Sequence, residues 1–336
     1  MNRRSLLLLS CVPFVRRSWS QEAPAMATAL ARVLGQASSL RPLKAVMVAH
    51  KGRVVAQRGF RGHTVTAPTN IKSASKSIVS ALVGIAVDKG LLQGVDQKIA
   101  PLLETDLPAN PDPRLGGITV GNLLSMQAGL TRTSGANYGR WVNSRNWVRT
   151  ALAQPFIENP GGDMLYSTGS SHLLSAILTR VGGRPTLELA RAWLGPQENF
   201  AIASWDRDPQ GIYFGGNQMA MSAKSLLAFG ELFRAGGKTA GGVQLISPQW
   251  IALSWQPRTQ SRFTGDAYGY GWFLRNIGGF EVRYAWGYGG QMLYIVPELE
   301  ISCVMTSDDS APSGRTGHRD DLHMLVADVL NAVSSA

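Results

Sequence analysis

Cysteine is nearly absent from this 336-residue chain, with only Cys11 and Cys303 present. Charge is also scarce: Asp, Glu, Lys and Arg together make up 16% of the residues. The basic residues are mostly scattered arginines rather than a run, so no nucleic-acid face is expected. Past the N-terminus no apolar stretch is long enough to span a bilayer, so no transmembrane segment is expected in the mature chain. There is no internal repeat and no low-complexity linker. What remains is a chain that is 44% hydrophobic with 37 glycines, long enough to bury a large core as one large domain or two lobes.

The formal net charge is +11, and Arg3, Arg4, Arg16 and Arg17 contribute to it with no acid among the first twenty residues. Arg3-Arg4 precede an apolar run from Ser5 to Val15, and Ser18 and Ser20 are small residues before Gln21. This pattern predicts an export signal over residues 1–20, by the twin-arginine route, followed by a single domain over 21–336 that works in the periplasm or outside the cell. Removing the signal leaves Cys303 alone, so no internal disulfide can form. Its strand-like surroundings, Leu299 to Met305, predict a buried structural thiol.

A helix is predicted over Pro24 to Ala37. Lys44 to His50 and Val54 to Phe60 flank Lys51-Gly52-Arg53 as a β-hairpin. Short helices are predicted near Pro101 and over Ile118 to Met126, the latter capped by Thr119. Residues 135–163 read as loop. Helical patterns return at Ser170 to Arg180, Leu187 to Leu194 and Ser222 to Arg234. Strands follow at Tyr268 to Leu274, Phe280 to Trp286, Met292 to Val296 and Glu300 to Thr306, before a last helix from Asp320 to Val333. Strands at both ends and helices between them predict an α+β fold. Its core is one antiparallel sheet built from N- and C-terminal strands, with a mostly helical lobe inserted over about residues 73–264.

The stretch with most chemistry in it is Ser73-Ala74-Ser75-Lys76, the only Ser-x-x-Lys in the chain. It heads an apolar run ending at Asp88-Lys89-Gly90 that reads as a buried helix. Residues three apart share a helix face, so the Lys76 amine can reach the Ser73 hydroxyl. Burial and the helix dipole would lower the lysine pKa and leave a free amine able to take the serine proton. Two further stretches stand out. One is Pro160 to Ser170, a turn delivering Tyr166 just before a helix. The other is Ala285-Trp286-Gly287-Tyr288-Gly289-Gly290-Gln291, a glycine-rich segment within strands that lets a ligand approach closely.

Together these residues resemble the serine β-lactamase and penicillin-recognising superfamily, and within it the class C-like branch that includes esterases and aminohexanoate-oligomer hydrolases. The resemblance runs from about Leu43 to the C-terminus. It implies the β-lactamase/transpeptidase-like fold, with Ser73 as the acylated nucleophile, Lys76 as its base and Tyr166 as a second base or proton shuttle. The backbone N–H groups of Ser73 and Tyr288 would form the oxyanion hole. The family's Tyr-x-Asn is here Tyr166-Ser167-Thr168, which puts a hydroxyl where an amide usually meets the substrate. Its third motif, usually Lys or His with Thr or Ser and Gly, reads Ala285-Trp286-Gly287 and lacks the cation that holds a carboxylate. The expected activity is therefore hydrolysis of small-molecule esters or linear amides, in a pocket lined by Tyr138, Trp141, Thr168, Trp286 and Gly287. The alternatives are a β-lactamase or D-alanyl-D-alanine carboxypeptidase, and a non-catalytic penicillin-binding-type sensor.

No Gly-x-Ser-x-Gly elbow points to an α/β-hydrolase. His318 and His323 do not share a helix face and read as part of a solvated helix start, not as metal ligands. His50, His63 and His172 belong to no ligand pattern, and a Ser-Lys-Tyr mechanism is expected to need neither metal nor cofactor.

Overall fold

A computed structural model describes residues 19–335; the body of the expected export signal, residues 1–18, lies outside them. The strands are β1 Leu43–His50, β2 Arg53–Gly59, β3 Pro68–Asn70, β4 Ser204–Trp205, β5 Met219–Ser222, β6 Thr259–Gln260, β7 Ala267–Tyr268, β8 Phe273–Ile277, β9 Phe280–Gly287, β10 Gln291–Val296 and β11 Ile301–Ser307. The helices are α1 Trp19–Gln36, α2 Ser75–Asp88, α3 Val120–Leu124, α4 Tyr138–Val142, α5 Trp147–Leu152, α6 Thr168–Gly182, α7 Thr186–Leu194, α8 Ala223–Arg234, α9 Pro248–Ser254, α10 Ser313–Thr316 and α11 His318–Ser334.

Eight strands form one sheet in the order β2-β1-β11-β10-β9-β8-β7-β6, with every neighbouring pair antiparallel. The expected union of N- and C-terminal strands is the β1–β11 pairing, with Met47 opposite Val304. The first hairpin turns at Lys51 and Gly52, both at positive φ, the backbone a tight two-residue hairpin requires.

Side chains alternate across this sheet into two cores, as a pleated strand dictates. Along β10, Met292, Tyr294 and Val296 enter the core shared with α1 and α11. Leu293 and Ile295 enter the larger core shared with α2 and α8. Burial on both faces explains why β10 and β11 read as nearly continuous apolar runs.

Helix α2 is buried all round, from Ser75 to Ala86. Two of its buried serines are hydrogen-bonded to the chain opposite: Ser77 Oγ donates to Gly271 O (2.6 Å) and Ser80 Oγ to Tyr270 O (2.7 Å). Those carbonyls lie where the chain leaves β7 for β8, so α2 is tied to the sheet. Gly271, at φ +81, breaks the single strand expected over Tyr268 to Leu274 into β7 and β8.

Several elements are absent from the sequence-based expectation. The small sheet β3-β5-β4 has strands too short to show an alternating pattern. Helices α4 and α5 lie in the stretch read as loop; each is little more than one turn, stitched by Trp141 Nε1 donating to Trp147 O and Trp147 Nε1 to Val142 O. The view of His318 and His323 as a solvated helix start is corrected. Both are buried, His318 Nε2 lying 2.9 Å from Ser307 Oγ and His323 Nδ1 3.1 Å from Tyr294 OH. Among the described residues no group of three or more His, Cys, Asp or Glu could hold a metal, and no helix is long and apolar enough to cross a membrane. Cys303 is fully buried, and burial pushes its thiol up to about 12.

Candidate active site

Ser73 sits in a 3-10 turn, Lys72–Ala74, that runs directly into α2. The turn is fixed from three sides. Ile71 N–H donates to Met219 O of β5 (2.8 Å), Lys72 N–H donates to Asn70 Oδ1 (3.0 Å), and Lys72 Nζ pairs with Asp309 (2.9 Å). Lys72 has φ +51, a backbone state that long side chains seldom adopt and that neighbouring contacts must hold. Ser73 is therefore presented by a constrained turn, with the first α-helical residue two positions later.

Lys76 lies beneath it. Its Nζ is 3.0 Å from Ser73 Oγ, 2.8 Å from Gly216 O and 3.3 Å from Thr168 Oγ1. The residue is 3% exposed, and loss of hydration lowers its pKa to about 7. An uncharged amine has two N–H donors and one lone pair. Gly216 O can only accept, and Thr168 Oγ1 can accept, so once Lys76 has lost its proton its two donors have destinations and its lone pair is left for the Ser73 hydroxyl. Among the described residues no carboxylate pairs with this lysine, and burial alone accounts for its lowered pKa.

Tyr166 completes the cluster. Burial raises its phenol to about 12, opposed by a hydrogen bond with Ser73, and Lys76 Nζ lies 5.1 Å from its ring centre. The ring stacks on Phe273 of β8 and meets Tyr268 of β7 edge-on, so the sheet fixes it. The next residues start α6, whose first N–H groups are capped from another loop. Thr168 N–H donates to Ser134 Oγ (2.8 Å) and Gly169 N–H to Thr133 Oγ1 (2.8 Å), satisfying donors that a helix start leaves open. Ser134 Oγ also lies 3.0 Å from Thr168 Oγ1. A chain of hydroxyls thus continues from Lys76 through Thr168 to Ser134.

The end of β9 closes the other side. A Cβ on Gly287 would lie 2.1 Å from Ile71 O, so only glycine lets this strand reach the Ser73 turn. Tyr288 follows it and is 45% exposed.

The expected pocket side chains divide. Thr168 is in the cluster, and Tyr138 is next to it, its OH accepting from Asn217 Nδ2 (2.9 Å) beside Gly216. Trp141 is not brought to Ser73. It is 1% exposed and packs in a knot of rings with Trp147, His172 and Phe214 inside the helical lobe. Trp286 is on the other face of β9 from Gly287: its ring packs on Phe273 (5.9 Å), which also carries Tyr166 (6.2 Å), its Nε1 donates to Ser313 Oγ (3.2 Å) and Arg319 covers the ring.

Gly216 is the functional position that the sequence analysis passes over. It has φ +84, and a Cβ there would meet Lys76 Cγ at 2.7 Å. The Gly215-Gly216 pair is its only trace in the sequence. Behind it, Gly215 N–H donates to His172 Nδ1 (3.3 Å), and His172 Nε2 donates to the buried Asp208 (2.9 Å). His172 thus holds the turn that receives Lys76.

Sheet, inserted helical lobe and the Ser73 helix at their seam define a β-lactamase/transpeptidase-like fold. The chain belongs to the beta-lactamase family, whose model matches residues 35–328. Among solved structures it is similar to a putative 6-aminohexanoate-dimer hydrolase from Bacillus anthracis, at 18% identity and TM-score 0.70, covering 89% of this chain and 82% of that one. It is also similar to EstCE1, a hydrolase with promiscuous acyltransferase activity, at 19% identity and TM-score 0.73, covering 93% and 99%. A curated relative, the probable fimbrial assembly protein FimD, serogroup H1, of Dichelobacter nodosus, is 34% identical over 133 residues, 38% of this chain. The match spans 33% of that relative's length.

Proposed function

We propose that the protein is a serine hydrolase that cleaves esters or linear amides through an acyl-enzyme on Ser73. The observation that carries this reading is the buried Lys76 amine 3.0 Å from Ser73 Oγ, its pKa lowered by burial to about 7. As Ser73 Oγ attacks the carbonyl carbon, its proton passes to Lys76 and the carbonyl oxygen becomes an oxyanion held by the N–H groups of Ser73 and Tyr288. Collapse breaks the bond to the leaving group, which takes a proton relayed through Tyr166. Water then attacks the acyl carbon by the same path in reverse order and frees Ser73. Tyr166, high in pKa, acts as a neutral phenol that gives and regains a proton rather than as a standing phenolate.

The substrate class follows from the third motif. Ala285 and Gly287 face the nucleophile with no charge to offer, so β9 provides no anchor for the carboxylate of a β-lactam or a peptide terminus. The likenesses to a 6-aminohexanoate-dimer hydrolase and to the hydrolase EstCE1 support hydrolysis as the class of reaction. The arginine-flanked apolar N-terminus supports export. In a test with the purified protein, short-chain nitrophenyl esters should be hydrolysed faster than nitrocefin, and Ser73→Ala should lose the activity by about 10³-fold or more while keeping its fold. Faster nitrocefin turnover would replace the ester reading with a β-lactamase.

A further inference from the structure

Beneath the oxyanion segment is a polar side chain with no role in the mechanism above. Gln291 is fully buried. The β10–β11 register places Met292 opposite Met305, and continuing it would set Gly290 opposite Ser307. Gly290 cannot take that place, because φ +105 turns its backbone out of the ladder. The Gln291 carboxamide fills it instead. Its Oε1 accepts from Ser307 N–H (3.1 Å), and its Nε2 donates to Ser307 O (2.8 Å) and reaches Tyr288 O (3.4 Å). The segment is closed by Gly290 N–H donating to Gly287 O (3.1 Å). His318, bonded to Ser307 Oγ, would stand 3.0 Å from any Cβ on Gly290.

We infer that Gln291 is a positioning residue for the oxyanion hole: its carboxamide replaces a missing ladder pair and so holds residues 287–290 with the Tyr288 N–H turned toward the carbonyl that Ser73 attacks. This rests on the acyl-enzyme reading, because it assigns Gln291 its effect through Tyr288. A methionine of similar shape would leave both Ser307 backbone groups unpaired and Tyr288 O released, whereas a glutamate would keep the acceptor and, when ionised, lose the donor.

The test uses the mature chain with Gln291→Met and Gln291→Glu, a nitrophenyl ester, and an arylboronic acid whose tetrahedral adduct on serine places an oxygen in the hole. Both variants are expected to fold by circular dichroism. For both, kcat should fall by about 10²-fold with KM within about threefold, and boronate affinity should fall in parallel with kcat. For Gln291→Glu, activity relative to the wild type at the same pH should recover as pH falls, because the protonated carboxyl regains a donor toward Ser307 O. Folded variants with wild-type kcat and boronate affinity would overturn the inference. Should Gln291→Met not fold, the relative pH profile of Gln291→Glu decides, and a flat profile overturns it. Absence of Ser73-dependent turnover in the wild type would overturn the acyl-enzyme reading first, before any Gln291 variant is measured.

Discussion

In the proposed mechanism Lys76 takes a proton at neutral pH, and its surroundings suit that role: it is buried, and among the described residues no carboxylate pairs with it. The consequence is a pH profile. The free amine is the active form, so kcat/KM should rise through about pH 7 as Lys76 deprotonates. A limb from Tyr166, near 12, lies above the working range. A rate flat from pH 5 to 9 would contradict this. Lys76→Arg keeps a positive charge that cannot be lost and should abolish turnover at every pH. Gly216→Ala tests the other side of the amine. Positive φ and a clash with Lys76 Cγ at 2.7 Å should lower stability by about 1–3 kcal/mol. They should also cut kcat by moving the carbonyl that orients Nζ. Unchanged kcat in a folded Gly216→Ala protein would remove that carbonyl from the account. The Ser73-Lys76 pair was legible in the sequence because helical spacing alone brings three-apart residues together. Gly216 was not, since its contribution is a backbone carbonyl and no side chain marks it.

Helix α2 shows how an element can be legible while its packing is not. The apolar run over Ile78 to Val87 predicted a buried helix, and the residues from Ile78 to Ala86 are all buried. Nothing in that run announces Gly84 as the place where Trp250 of α9 crosses. A Cβ there would lie 2.3 Å from the indole. A glycine in an exposed helix interior is improved by alanine by about 1 kcal/mol. Here Gly84→Ala should instead destabilise by about 1–3 kcal/mol through overpacking, seen as a lowered Tm, and a raised Tm would show that Trp250 can yield. Strand β9 holds the opposite lesson. Period-two alternation separates Gly287 from Trp286, which packs on the Phe273 ring that carries Tyr166 instead of lying beside Gly287. Trp141 was lost for a different reason: it lies in a one-turn helix whose inward face no periodicity reveals.

At the level of the molecule, the fold was readable because its two ends are strands and its middle is helices, and because β10 and β11, buried on both faces, carry continuous apolar runs. The short β3-β5-β4 sheet was invisible, yet Ile71 bonds to β5 and so depends on it for the Ser73 turn. The site is a seam: α2 and the start of α6 come from the helical lobe, Gly287 and Tyr288 from the end of β9 and the turn after it, and Gly216 from the turn before β5. Each contributes groups that are inert alone. The central claim, that this seam makes Ser73 a nucleophile, is tested most directly by intact-protein and peptide mass spectrometry after exposure to a fluorophosphonate at pH 7–8. The wild type should gain one phosphonyl group, mapped to Ser73, and Ser73→Ala should gain none. A wild-type protein that stays unlabelled, or that carries the label on another residue, would contradict the account.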